Sequence, residues 1–144
     1  MTVTFFGHRD TPSTIRPKLT ETLISLIVEH GADTFYIGNN GAFDSLATSV
    51  LKELVTNYPH VRYMIVLSKL PTTANESDVA YYENTIIFDG FEKAHPKYAI
   101  VKRNEFMINN ADTVVSYVKY TSGGAYRFTE LAKKKKKTVV NLAE

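Results

Sequence analysis

Short apolar runs alternate with segments of helical period along the whole chain, and glycine or proline marks most junctions. The runs cover residues 3–6, 34–37, 61–67, 85–88, 113–118 and 138–142, each of strand length. Between them, Ile15, Leu19, Leu23, Leu26 and Ile27 recur at helical spacing, and so do Phe43, Leu46, Ala47, Val50, Leu51, Leu54, Val55 and Tyr58. Pro17 suits a first helical turn, Gly31 suits a helix stop, and Pro59 ends the second helix. Two further helices are predicted over 98–110 and 124–136. The run 61–67 is almost wholly apolar, as in a strand covered on both faces. Residues 68–83 are polar and read as a long loop, with one helical turn after Ser77; loops of that length often serve as lids.

Strands that alternate with helices point to a parallel sheet with helices on both faces. Right-handed crossovers then give a three-layer, doubly wound, Rossmann-like α/β fold with a mostly parallel sheet. The 144 residues fit one domain, 1–144, large enough to bury a core without a metal or disulfide staple. Absence of cysteine excludes disulfides, thiolate metal sites and cysteine nucleophiles. The first residues have neither a basic segment nor a long apolar one, so no signal peptide is expected there. No apolar run approaches a membrane span. A cytoplasmic protein is expected, with no membrane partner.

The net charge of +2 is misleading as a guide to partners. Five lysines stand in a row at 133–137, and taking those five from +2 leaves −3. The basic character is one local run at a predicted helix end, where cations complement the helix dipole. A nucleic-acid surface would spread Lys and Arg and interleave aromatics. No nucleic-acid partner is expected.

Ligands of doubly wound folds sit beyond the C-terminal ends of the strands. Here those ends are rich in glycine. The first strand stops at Gly7-His8-Arg9, and the second at Gly38-Asn39-Asn40-Gly41 with Asp44 just inside the helix. The strand over 113–118 leads to Ser122-Gly123-Gly124. Adjacent glycines let the backbone turn sharply and approach a ligand, and a helix N-terminus behind them offers free N–H groups to an anion. Tight strand-to-helix turns also need glycine without any ligand. Arg103 shares a helix face with Ala99 and Met107, so it is drawn toward the interior and needs an anionic partner. That partner is either Asp112 or Glu105, or the phosphate or carboxylate of a ligand. Glu130 lies six residues beyond Gly124. It either pairs on the surface with Arg127 or leans back toward the cleft. His8, at a strand end without a second ligand nearby, makes a poor metal site and is expected to hydrogen-bond a ligand or its own turn.

Taken in order, Phe6-Gly7-His8-Arg9, Gly41-Ala42-Phe43-Asp44, Lys102-Arg103-Asn104-Glu105-Phe106-Met107 before Ala111-Asp112, and Ser122-Gly123-Gly124-Ala125 resemble the SLOG superfamily, in particular its small bacterial members with a Gly-His-Arg strand end. The resemblance spans nearly the whole chain. It implies a Rossmann-like fold that binds nucleotides or nucleotide-derived signals and commonly self-associates. A more distant group of the superfamily, the lysine-decarboxylase-like LOG proteins, are nucleoside-5′-monophosphate phosphoribohydrolases. Arg103, Met107 and Asp112 match that group's spacing, as do Gly123, Gly124 and Glu130. Where its pattern has a third glycine and a threonine, this chain has Tyr126 and Arg127, which implies an altered phosphate pocket; Arg127 could supply a charge in place of the lost hydroxyl.

Three functions are open at this stage. The first is binding or sensing of a nucleotide-type small molecule. Gly7, His8, Arg9, Gly38, Gly41, Asp44, Arg103, Asn104, Ser122, Gly123 and Gly124 would form its pocket. The phosphate would sit on Gly123-Gly124, and Asp44 would accept from ribose hydroxyls. The second is N-glycosidic hydrolysis with Arg103 and Glu130 as catalytic residues. The third is an interaction protein with a vestigial cleft and exposed tyrosines such as Tyr81, Tyr82 and Tyr120. No metal and no cofactor is expected, and a homo-oligomer is.

Overall fold

In the computed structural model, which describes residues 1–70 and 84–144, six strands form one sheet in the order β4-β3-β2-β1-β5-β6. The strands are β1 (Thr2–Gly7), β2 (Thr34–Ile37), β3 (Arg62–Leu67), β4 (Thr85–Ile87), β5 (Thr113–Tyr117) and β6 (Thr138–Asn141). Every pairing is parallel. Four α-helices accompany them among the described residues: α1 (Arg16–His30), α2 (Ala42–Asn57), α3 (Ala99–Asn109) and α4 (Gly124–Lys134). The architecture is the three-layer, Rossmann-like α/β fold that the sequence pattern predicts.

Alternation along the strands builds two separate cores. Val3 and Phe5 of β1, Phe35 and Ile37 of β2, and Val115 of β5 face α1 and α2, where they meet Leu19, Leu23, Phe43, Ala47 and Leu51. The intervening residues Phe6 and Val114 face the other way and meet Met107 and Ile108 of α3 and Phe128 and Ala132 of α4. Period-2 strands thus feed both helical layers. Phe5 stacks near Phe35 at 6.1 Å and meets Phe43 at 6.3 Å, and Phe6 stacks near Phe128 at 5.8 Å. Each such ring, fully buried, contributes on the order of 1.5–3 kcal/mol.

Local signals at the helix ends act as the sequence suggests, with two refinements. Gly31 adopts φ 72° and stops α1, and Pro17 lies in its first turn. α4 ends at Lys134, earlier than the predicted 136. The lysine run turns back on itself, with Lys136 at φ 61° and Lys137 N donating to the Ala132 carbonyl at 3.0 Å. The loop expected from sequence over 89–96 contains one short 3-10 turn, Phe91–Lys93, and a second, Pro96–Tyr98, joins its end to α3. The expected helical turn after Ser77, and Tyr81 and Tyr82, lie outside the described residues. Among the described residues no helix is long and apolar enough to cross a membrane.

Chain order reverses beside β1. The path runs from β1 through β2 and β3 to β4 in one direction, then returns to β5 on the other side of β1. Because all strands are parallel, the ends of β1 and β5 open together at this switch point, where side connections diverge and leave a crevice.

Candidate functional site

The crevice at the switch point is a cleft of ≈ 440 Å³. Its walls come from the end of β1 (Phe6, Gly7, His8, Arg9, Asp10), from the β2–α2 turn (Asn40, Asp44), from α3 (Ile100, Arg103, Asn104, Met107) and from the approach to α4 (Tyr120, Gly123, Gly124, Ala125).

Gly7 is required by packing. A Cβ there would lie 2.2 Å from Cγ of Phe43, so only glycine lets α2 settle against the end of β1. Gly41 serves the neighbouring turn. It holds φ 94°, and a Cβ would lie 2.8 Å from Cα of Arg9. The next residue, Ala42, donates its N–H to the Arg9 carbonyl at 3.0 Å, which ties the two strand-end turns together. Gly38 is buried, and a Cβ on it would be 2.9 Å from Oδ2 of Asp44 and 3.1 Å from Cζ of Arg103. Gly38 and Gly41 therefore shape the site from beneath and do not line the cleft.

Arg103 is 2% exposed, and its protein partners are neither Asp112 nor Glu105. Asp112 sits at the opposite end of the strands, just before β5, where Oδ2 accepts from Thr2 N at 2.9 Å. The guanidinium is instead held by amides. Nε donates to Oδ1 of Asn104 at 3.1 Å, and Nη1 donates to Oδ1 of Asn39 at 3.1 Å. With its amide turned to match its neighbours, Asn40 accepts from Nη2 at 3.2 Å. The balancing charge is Asp44. Burial pushes its carboxyl up to about 6, against the Asn40 N–H it accepts at 2.9 Å and the Arg103 charge, both of which favour ionisation. Burial likewise lowers the Arg103 guanidinium, and Asp44 opposes that shift. Asp44 is thus engaged by the protein before any ribose reaches it.

The His8 side chain bonds not its own turn, as one sequence expectation had it, but the connection from β5 to α4. Its Nε2 accepts from Lys119 N at 2.9 Å and Tyr120 N at 3.2 Å, so the proton of the neutral ring is on Nδ1. Asn141 holds the preceding residue from the other side, accepting from Val118 N and donating to Val118 O, both at 3.0 Å. The connection from β5 to α4 is fixed by these side chains over residues 118–120.

The start of α4 is open. Gly123 has φ 92°, and neither Gly123 nor Gly124 has any atom within 4 Å of the position of a Cβ. No side chain caps the helix, and its first turn carries no acidic residue. The first intrahelical bond runs from Arg127 N to the Gly123 carbonyl at 3.0 Å, so the earlier N–H groups of the turn are not used within the helix.

Glu130 does not enter this cleft. It pairs with Lys133 at 3.1 Å, not with Arg127, and both side chains are about half exposed. It lines an adjoining depression with Glu105, Tyr126, Arg127 and Lys134, which shares Gly123 and Gly124 with the cleft. Tyr126 and Arg127 face that depression too, with the Arg127 guanidinium 5.2 Å from the Phe128 ring centre. The two residues that depart from the LOG pattern are therefore outside the cleft lining, on the other side of the Gly123-Gly124 turn. Ser122 is exposed and outside the cleft lining.

The structure thus brings together Gly7, His8, Arg9, Asp44, Arg103, Asn104, Gly123 and Gly124, and leaves Glu130 and Ser122 aside. Sequence reasoning assigned no role to Asn39 and Asn40, although their amide oxygens are what a buried guanidinium needs. Two asparagines between Gly38 and Gly41, on a turn facing a helix with an inward Arg, were the available signal. No family model matches the chain, and no curated protein matches it in sequence.

Proposed function

We propose that the cleft binds a nucleotide or nucleotide-derived ligand, with a phosphate seated on the first turn of α4. The observation that carries this is the pairing of two anion-attracting groups across one crevice. The uncapped N-terminal turn at Gly123-Gly124 opens into the same cleft that Arg103 lines from α3. Unused N–H groups and the positive end of the dipole suit a phosphate, and an amide-held guanidinium is pre-organised to meet its charge. The position at the topological switch point supports the same class of ligand, as does the resemblance to the SLOG superfamily. N-glycosidic hydrolysis would need a carboxylate beside the bound sugar, and the one that the resemblance assigns, Glu130, is paired with Lys133 and lies outside the cleft lining, in a depression that adjoins it at Gly123 and Gly124.

The test is a thermal-shift panel of nucleoside monophosphates, diphosphates and ADP-ribose, followed by calorimetry on any hit. A ligand at 100 times its Kd raises stability by about 2.7 kcal/mol, a shift readily measured. Arg103→Lys keeps a positive charge but loses the fork that the amides hold, and is expected to weaken binding at least tenfold. A panel in which no compound raises Tm would overturn the proposal.

A further inference from the structure

β6 forms one edge of the sheet and, among the described residues, pairs on a single side, with β5. Thr138 N and Leu142 N both donate toward β5, to Asp112 O at 3.2 Å and Ser116 O at 2.8 Å. Backbone groups alternate in direction along a strand. The N–H groups of Val139 and Asn141 and the carbonyl of Val139 therefore point to the open side. Val139 and Val140 are half-buried, one against each helical layer, so both faces of the sheet end on valines that are incompletely covered. The edge is also held at both ends. Lys137 N is bonded to Ala132 O at its start, while the Asn141 side chain grips Val118 and Lys18 Nζ reaches Leu142 O at 3.0 Å at its finish. A strand fixed in this way is pre-organised to accept another.

The five lysines stand at the start of this edge. Lys133 is paired with Glu130 and Lys135 bonds Asn109, whereas Lys134, Lys136 and Lys137 have no ion-pair partner among the described residues. Lys136 holds φ 61° just past the end of α4, a place that glycine or asparagine ordinarily takes. The chain thus keeps a cation where the local backbone favours another residue.

We propose that the open edge of β6 docks an extended acidic segment of a partner protein, which adds as a further strand with its carboxylates against Lys134, Lys136 and Lys137. Backbone pairing at Val139 and Asn141 supplies the register, and the lysines select the sign of charge. Nucleic acid would answer the charge but has no peptide groups to complete the ladder. A second copy of β6, Thr138–Asn141, has no acidic residue to offer.

Fluorescence anisotropy on the full chain with the labelled peptide Glu-Glu-Glu-Val-Thr-Val-Thr-Val tests this. The peptide Lys-Lys-Lys-Val-Thr-Val-Thr-Val reverses the charge, and Glu-Glu-Glu-Val-Pro-Val-Pro-Val keeps it but lacks alternate ladder donors. The first should bind on the order of tenfold more tightly than either control. It should slow hydrogen exchange at the amides of Val139 and Asn141 but not at Val140, which faces β5. Replacing Lys134, Lys136 and Lys137 together by glutamine should erase the preference for the acidic peptide over the lysine one. Val139→Pro removes an outward N–H and leaves the pairing with β5 intact, so it should abolish peptide binding without lowering the affinity of the cleft for sulfate. Exchange at both amides unchanged by the acidic peptide overturns the proposal and leaves the lysines as a guard against edge-to-edge pairing. Equal affinity for all three peptides overturns it as well. Tighter binding of a single-stranded oligonucleotide of equal charge would make the run a nucleic-acid contact. Protection of the two amides that rises with protein concentration, without peptide, would give the edge to a second copy. Either of these results also overturns the proposal.

Discussion

Asp44 and Arg103 both border Gly38, where a single methyl group would stand 2.9 Å from the carboxylate and 3.1 Å from the guanidinium carbon. The half-buried carboxylate and the buried guanidinium approach from α2 and α3, on opposite faces of the sheet, and the missing side chain at β2's end leaves room for both. Gly38→Ala therefore tests the couple without touching either charge. The methyl forces one or both side chains aside, and overpacking of this kind costs about 1–3 kcal/mol. Chemical denaturation should show that loss with an unchanged m-value, and nucleotide binding should weaken with it. A Gly38→Ala protein with wild-type stability would mean that the couple is loose.

Asp44 should make stability depend on pH with an unusual sign. Its carboxyl titrates at about 6 in the fold, against 3.8 as the ordinary value. Between those values the folded chain holds a proton that the unfolded chain has released, so stability falls as pH rises from about 4 through 6. The full shift corresponds to at most about 3 kcal/mol, and less given the solvent contact that Asp44 retains. Asp44→Asn should remove this component from a Tm–pH profile over that window. The same titration acts on the anion seat, because an ionised Asp44 offsets Arg103. Sulfate, which keeps its charge across the range, should bind more tightly as pH falls through 6. Sulfate affinity independent of pH in wild type, or the same dependence in Asp44→Asn, would refute this coupling.

His8 holds the β5–α4 connection through two backbone donors on one nitrogen. Replacing it with alanine leaves the N–H groups of Lys119 and Tyr120 without that acceptor. Loss of intramolecular hydrogen bonds of this type costs about 0.5–1.5 kcal/mol each, less where water replaces the partner. Hydrogen exchange at amides 119 and 120 should accelerate in His8→Ala, while exchange within β1 and β5 stays slow. Unchanged exchange at both amides would show that Asn141 alone fixes the loop.

The layers and the location of the cleft were legible because they depend on period. Strand runs such as 3–6 and 113–118 and the helical faces of Leu19 to Ile27 and Phe43 to Leu54 fix which side of each element is covered. The inward face of Arg103 followed from the same periodicity. Its partners did not, because Asp44, Asn39 and Asn40 come from turns and a helix start more than fifty residues away, and only the sheet order brings them together. Glu130 shows the opposite failure. Its six-residue offset from Gly124 was compatible with the cleft, yet rotation about the helix axis places it beside Lys133. Linear spacing sets distance along a helix, whereas the depth at which α4 docks sets which face the crevice sees.

Gly124 permits stability and binding to be separated at one atom. Unlike Gly123 at φ 92°, it is the first residue of α4 and lies outside the left-handed region, and nothing lies within 4 Å of its missing Cβ. Alanine there meets no clash, improves helix propensity and narrows the unfolded ensemble, so Gly124→Ala should stabilise the fold by about 0.4–1 kcal/mol. Gly123→Ala, by contrast, must hold an L side chain near the left-handed region and should destabilise by about 1–2 kcal/mol. Yet the methyl at 124 projects into the cleft beside the N–H groups proposed to hold the phosphate. Gly124→Ala should therefore raise Tm and weaken nucleotide binding together. Because the fold gains rather than loses stability, the binding defect could not be ascribed to unfolding. A stabilised Gly124→Ala protein that binds as wild type would place the phosphate elsewhere than on the first turn of α4.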